Sequence, residues 1–173
     1  MTANRSTRRA LAMVVCVLAV AGCRADQLQF KNDRRLTFVT PDAFDEVTVP
    51  LTISWTMDDF EATGLDGSTD PGQGAFAVFV DRAPMPVGKD LAWVGRNDPA
   101  CKRNPDCPDE QYLAEHGVYV TTDASVTLDH LPTAENKRGP EQHYANIVLV
   151  DGTGRRIGES AWYVPFTAER RPS

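Results

Sequence analysis

The chain has 173 residues, with 24 acids against 18 bases and a formal net charge of −6. The acids are spread along it and no basic face answers them, which excludes a nucleic-acid binder or a protein held to anionic lipid by charge. The length suffices for one domain with a substantial core.

The first segment stands apart from the fold. Arg5, Arg8 and Arg9 form a basic start without an acid, followed by an apolar run from Ala10 to Ala21. Crossing a bilayer takes about 20 apolar residues, so this shorter run predicts an export signal. It closes on Val20-Ala21-Gly22-Cys23, which resembles the lipobox of bacterial lipoproteins. By that resemblance residues 1–22 are a signal peptide and Cys23 is the mature N-terminus, carrying a diacylglycerol thioether. Lipoproteins of this kind hold at least two acyl chains, palmitate among them. The resemblance therefore implies firm anchoring on the exported side of a cell membrane or envelope. Residues 23–35 are polar and aperiodic and read as a tether. Residues 23–173 contain every acid but only 15 bases, leaving −9.

Leu36 to Thr40 is a short strand stopped by Pro41-Asp42. The stretch Val47 to Thr56 places Val, Val, Leu, Ile and Trp at its odd positions, with Thr, Pro, Thr, Ser and Thr between them. That alternation predicts one strand with a core face and a wet face, with Pro50 at an edge or bulge. Asp58 to Gly74 is a long polar loop. Ala75 to Val80 is apolar on both faces and predicts a central strand, and Leu91 to Val94 reads as another short strand. Pro108, Asp109, Glu110, His116 and Gly117 are start and stop signals for one small helix, with Pro108 at the first helical position. Val118 to Thr121 and Ser125 to Leu131 are strands bent at Thr122-Asp123. Pro132 to Gln142 is a polar connection, and Asp151-Gly152-Thr153-Gly154 turns a final hairpin of Tyr144–Val150 and Arg155–Phe166. Seven or eight short strands with one helix predict an all-β antiparallel sandwich over 36–168, followed by a tail at 169–173.

Cys16 leaves with the signal, and the lipobox accounts for Cys23. Cys101 and Cys107 remain, and an oxidising compartment predicts a disulfide between them. The ring it closes is small, worth about 2 kcal/mol on the chain-entropy model. A metal reading of this pair lacks two further ligands nearby.

Leu51-x-Ile53-x-Trp55 resembles the second strand of fibronectin type III and related immunoglobulin-like domains. Phe76-x-Val78-x-Val80-Asp81 is similar to the third strand, and Val126-x-Leu128-x-x-Leu131-Pro132 to the fifth with its Leu-Pro corner. Tyr144-x-x-Ile147-x-Leu149-x-Asp151 and Gly158 to Trp162 resemble the last two, which makes Tyr144 the corner tyrosine by implication. The segment Pro84–Gly117 and the loop Asp58–Gly74 exceed what that family needs. They are insertions on a scaffold that hosts many functions.

The candidate sites follow from these insertions. Asp58, Asp59, Asp66 and Asp70 offer carboxylates to a hard cation such as calcium, but their spacing is not that of a calcium loop, and acids with glycine are also turn chemistry. His116, His130 and His143 lie in separate segments without a paired zinc spacing. Ser54, Ser68, Ser125 and Ser160 lack a nucleophile elbow, so the chain does not read as an enzyme. Trp93, Tyr112 and Tyr163 are aromatic positions suited to a protein or glycan partner, with Tyr163 facing away from Trp162. The expectation is a non-catalytic binding or envelope-organising module with Pro84–Gly117 as its contact surface. Two alternatives are a calcium-stabilised or glycan-binding adhesion domain, and a hydrolase built from His116 or His130 with nearby acids.

Overall fold

The computed structural model describes residues 33–131 and 140–169. The signal segment, Cys23, the tether to residue 32, the 132–139 part of the polar connection and the tail from residue 170 lie outside them.

The described residues form strands β1 Leu36–Thr40, β2 Glu46–Val47, β3 Leu51–Met57, β4 Glu61–Ala62 and β5 Gln73–Val80, then β6 Val118–Thr121, β7 Ser125–Leu128, β8 Glu141–Val150 and β9 Arg156–Ala168. Among the described residues one α-helix, α1, spans Glu110–Glu115. The smaller sheet has the order β1-β3-β7. The larger runs β2-β9-β8-β5, with β4 and β6 sharing the far edge of β5, and it curls into a half-barrel. Pairing is antiparallel except for two short parallel ladders, β2 with β9 and β4 with β5.

The strong alternation after residue 47 orders β3: Leu51, Ile53 and Trp55 are buried, and Thr52 and Thr56 are exposed. These three face Phe76, Val78, Ile147, Leu149 and Phe166 of the larger sheet in one core. Trp55 packs edge-on against Phe76 at 5.2 Å between ring centroids. Its Nε1 is buried without a hydrogen-bond partner. Each buried large side chain here contributes about 1.5–3 kcal/mol on leaving water.

Several expectations need correction. The stretch Val47–Thr56 is two strands, because Pro50 has no donor to continue the ladder. Glu46 and Val47 pair with Thr167 and Ala168 in the larger sheet, and Leu51 onward pairs in the smaller one. Leu91, Ala92 and Trp93 form a 3-10 turn with Leu91 buried and Ala92 exposed, held by Trp93 N–H to Asp90 O and Val94 N–H to Leu91 O. The helix begins two residues after Pro108, because Asp109 is its N-cap and accepts from the Tyr112 amide at 2.8 Å. Tyr144 is not an inward corner residue. It stands an odd number of positions from Ile147, so the pleat sends the two to opposite faces. Its ring lies 5.6 Å from that of Tyr163.

His143 is buried next to it and stacks on Phe166 at 5.9 Å. Its Nδ1 lies 2.6 Å from Asp81 Oδ2. Asp81 Oδ1 accepts from the Tyr144 amide, and its own N–H donates to Tyr144 O. This lock closes the end of β5 against β8. Asp33 and Arg35, read as tether, belong to the fold. Asp33 Oδ2 accepts from Ser160 Oγ at 2.8 Å, and its carbonyl accepts from Trp162 Nε1 at 2.9 Å.

Candidate functional site

The apolar-on-both-faces reading of Ala75–Val80 has a structural consequence. Phe76, Val78 and Val80 fill the core between the sheets, and Ala75, Ala77 and Phe79 point outward. That outer face, with Val118, Val148 and Val150, is covered by Met85, Leu91 and Leu113. The segment 84–117 is therefore a lid over a second core as well as a surface.

Its local shape comes from short-range polar contacts. Asp98 Oδ1 accepts from the Ala100 amide at 2.7 Å, and Asn104 Oδ1 accepts from the Asp106 amide. Cys101 and Cys107 are joined in a disulfide with their Cα atoms 4.8 Å apart. Gly95 is buried against that bridge, where a Cβ would run into Cys101 Sγ. Tyr112 stacks on His116 with 4.0 Å between centroids, and its hydroxyl donates to Asp98 Oδ2 at 3.0 Å. Burial and then the Asp98 carboxylate push the Tyr112 hydroxyl up from its ordinary value. The Ala100 amide, then the Tyr112 hydroxyl, hold Asp98 below the usual carboxylate value.

Arg156 ties the segment down from β9. Its guanidinium is buried and donates to Met85 O at 2.5 Å, and to Glu159 O and Ser160 O where the β8–β9 register slips. Burial pulls its pKa down from the ordinary value. Among the described residues its two Nη groups meet carbonyls and no carboxylate, and its buried Nε has no hydrogen-bond partner.

The outward side of the segment holds a pocket of about 370 Å³ between Phe79, Met85 and Val94, with Arg82, Trp93 and Arg96 at its walls. The Arg96 guanidinium lies 4.0 Å from the Trp93 ring centroid, and Lys89 Nζ lies 5.3 Å from it. Trp93 is thus covered by cations, which its π face attracts. Arg96 Nη1 donates to Trp93 O and Arg82 Nη1 to His116 O, both at 2.7 Å. A second groove, about 580 Å³, lies between α1 and β6 with Leu113, Val120 and Val126 in its walls and Glu110 as its charged member.

The other predicted positions lie elsewhere. Asp66 Oδ1 accepts from the Ser68 amide, and Asp70 accepts from the Gly72 amide and Gln73 Nε2. The Gly72 amide, first, and the Gln73 side chain hold Asp70 below its ordinary value. These are turn-forming bonds, and Asp58 and Asp59 are exposed at the end of β3. Among the described residues no three His, Cys, Asp or Glu side chains gather to hold a metal. His116 caps the end of α1, and His130 is exposed past β7. Tyr163 is 57% exposed on the outer face of β9, beside Tyr144.

Sequence reasoning named Trp93 but missed its cations. The signal was the spacing: Trp93 and Arg96 are three apart, neighbours on any helical turn, and a strand reading of 91–94 hides that. His143 and Asp81 stand 62 residues apart and had no local signal. No family model, curated protein or solved structure matches the chain. Among the described residues no helix is long and apolar enough to cross a membrane.

Proposed function

We propose that the chain is an exported lipoprotein, anchored through Cys23, whose domain is a fibronectin type III-like or immunoglobulin-like sandwich serving as a non-catalytic binding module. The strand order supports the fold reading. A β1-β3-β7 sheet faces a sheet with β6-β5-β8-β9 in sequence, and the short β2 runs parallel to the last strand, as such domains lead one to expect. The observation that carries the functional reading is the double role of 84–117. Its inner side seals a second core, and its outer side gathers Trp93, Arg96 and Arg82 around a pocket. A rigid sheet with an insertion fixed on it is a common way to present a contact surface.

Excising the insertion would bare Ala77, Phe79 and Val148, so the test uses point labels. A photo-cross-linking residue at exposed Ala92, Asn97 or Lys102 should capture a partner on intact cells. The same label at Thr52 or Thr127, exposed on the outer face of the smaller sheet, should not. Capture only from the smaller sheet would overturn the choice of surface. For the anchor, Cys23→Ala should abolish incorporation of a labelled fatty acid and release the protein from the membrane fraction. Retention of either property would sink the lipoprotein reading.

A further inference from the structure

We infer that the pocket walled by Arg82 and Arg96 takes an organic carboxylate with an apolar body. The inference rests on the reading of the 84–117 face as the contact surface and names the chemistry that face receives. Two guanidiniums stand at one pocket in a domain rich in acid, yet among the described residues neither has a carboxylate within 4.0 Å. The acids close to them in sequence are engaged elsewhere. Asp81 is bonded to His143 and the Tyr144 amide, and Asp98 to Tyr112 and the Ala100 amide.

Each guanidinium is also held in place in advance. Arg82 spends one Nη on His116 O, and Arg96 spends one on Trp93 O while lying on the Trp93 ring. Among the described residues that leaves Nε and the second Nη of each without a hydrogen-bond partner. A planar fork fixed beforehand suits a carboxylate, since little side-chain freedom is lost on binding. Trp93 is here a positioning residue for Arg96. The floor is apolar: Phe79, Met85 and Val94 offer nothing to a bare inorganic anion and favour an aryl or acyl body. A volume of about 370 Å³ falls at the small end of ligand pockets. Two sources share this chemistry, a free organic acid and the C-terminal residue of a peptide.

Calorimetric titration of the full chain in detergent at low ionic strength separates them. The probes are 4-phenylbutyrate, the tripeptide Gly-Gly-Phe, its C-terminal amide, and inorganic phosphate. Saturable binding of phenylbutyrate, of the free-acid tripeptide or of both is expected, with the amide at least tenfold weaker and phosphate not saturating. Stronger binding of the tripeptide assigns the pocket to a chain end; stronger binding of phenylbutyrate assigns it to a free acid. Arg82→Gln and Arg96→Gln should each weaken binding about tenfold, the usual size of a lost charge-assisted hydrogen bond. Their melting temperatures should stay near that of the parent, and Arg155→Gln, outside the pocket walls, should leave binding unchanged.

Equal affinity for acid and amide, saturation by phosphate alone, no binding by any probe, or parent-like binding by both arginine variants would each overturn the inference. Cross-linking distinguishes this failure from that of the broader reading. Capture from Lys102 that persists in the Arg82→Gln, Arg96→Gln double variant, with no acid bound, removes the pocket and keeps the surface. Acid binding without any capture removes the macromolecular surface and keeps the pocket.

Discussion

The two faces of the larger sheet bury similar strands in different ways. On the inner face the cover is another sheet, and the core holds Ile53, Trp55, Phe76, Ile147 and Phe166. On the outer face the cover is a segment whose regular structure is a 3-10 turn, a second such turn at Cys101–Arg103 and one short helix. The sheet supplies mostly small residues there, Ala75, Ala77, Val148 and Val150, with Phe79 the largest. Area removed from water sets the scale of stabilisation, so the inner core should govern global unfolding and the outer one a local opening. A ladder between strands also fixes many backbone groups together. The lid instead is held by its own turns, one disulfide, the Arg156 side chain and a short backbone bridge to the β8–β9 turn, Leu91 N–H to Gly154 O and Arg156 N–H to Lys89 O. The surface proposed for binding therefore rests on the weaker of the two cores.

The largest effect expected is at Trp55. Trp55→Ala should cost about 3–5 kcal/mol in urea unfolding, the usual range for truncating a buried large aromatic. Trp55→Phe should cost under about 1.5 kcal/mol, because it also removes the unpartnered Nε1. Equal losses for the two variants would mean that shape, not buried area, dominates this site. On the outer face Leu113→Ala should cost about 2–3 kcal/mol, and its signature is distinct. Amide exchange should accelerate in 85–117 first, with β3 and β8 protected as before. Uniform acceleration across both faces would break the comparison, since the lid would then be part of one cooperative unit. Reducing Cys101–Cys107 should cost about 2 kcal/mol or less, again confined to the lid. A loss of β3 protection on reduction would contradict that confinement.

Legibility in the sequence divided along the same line. Alternation marked β1, β3, β5 and the β8–β9 hairpin because a strand buried on one or both faces must show period two or a solid apolar run. The disulfide was legible from the cysteine spacing together with the expectation of an oxidising compartment. The break at Pro50 was half visible: a missing donor was noted, but nothing local says that Val47 pairs with Ala168 rather than with the smaller sheet. The lid was opaque for a related reason. Its apolar residues, Met85, Leu91 and Leu113, are too far apart to show a period, and they become a core only against strands chosen by topology. Leu91-Ala92-Trp93-Val94 reads as four apolar residues in a row. Leu91 is buried, Ala92 is exposed, and Trp93 and Val94 are both partly buried, a pattern of a turn and not of an alternating strand. The candidate pocket inherited that opacity, since Arg82, Trp93 and Arg96 meet only once the turn is known. Tyr144 was a parity error that the residue spacing itself could have exposed.

The smallest effect concerns the rim of the inner core. Asp33 ties the start of β1 to β9 through Ser160 Oγ and Trp162 Nε1. The Arg35 side chain, first, with Ser160 and the Arg35 amide, holds the Asp33 carboxyl down to about 2. An unfolded aspartate titrates near 3.9, so the folded state binds the proton less readily. The contribution is therefore complete above about pH 4 and fades as the pH falls toward 2. Half-exposed partners and solvent screening keep it below about 1 kcal/mol. Asp33→Asn preserves an acceptor for Ser160 and removes the titration. Unfolding free energies of the two proteins should differ by a constant above pH 4 and converge below it. Curves that stay parallel down to pH 2 would show that the latch works through its neutral hydrogen bonds alone. The lid, which makes none of these contacts, should respond to that pH change identically in both proteins, so exchange rates at Leu113 serve as the internal control.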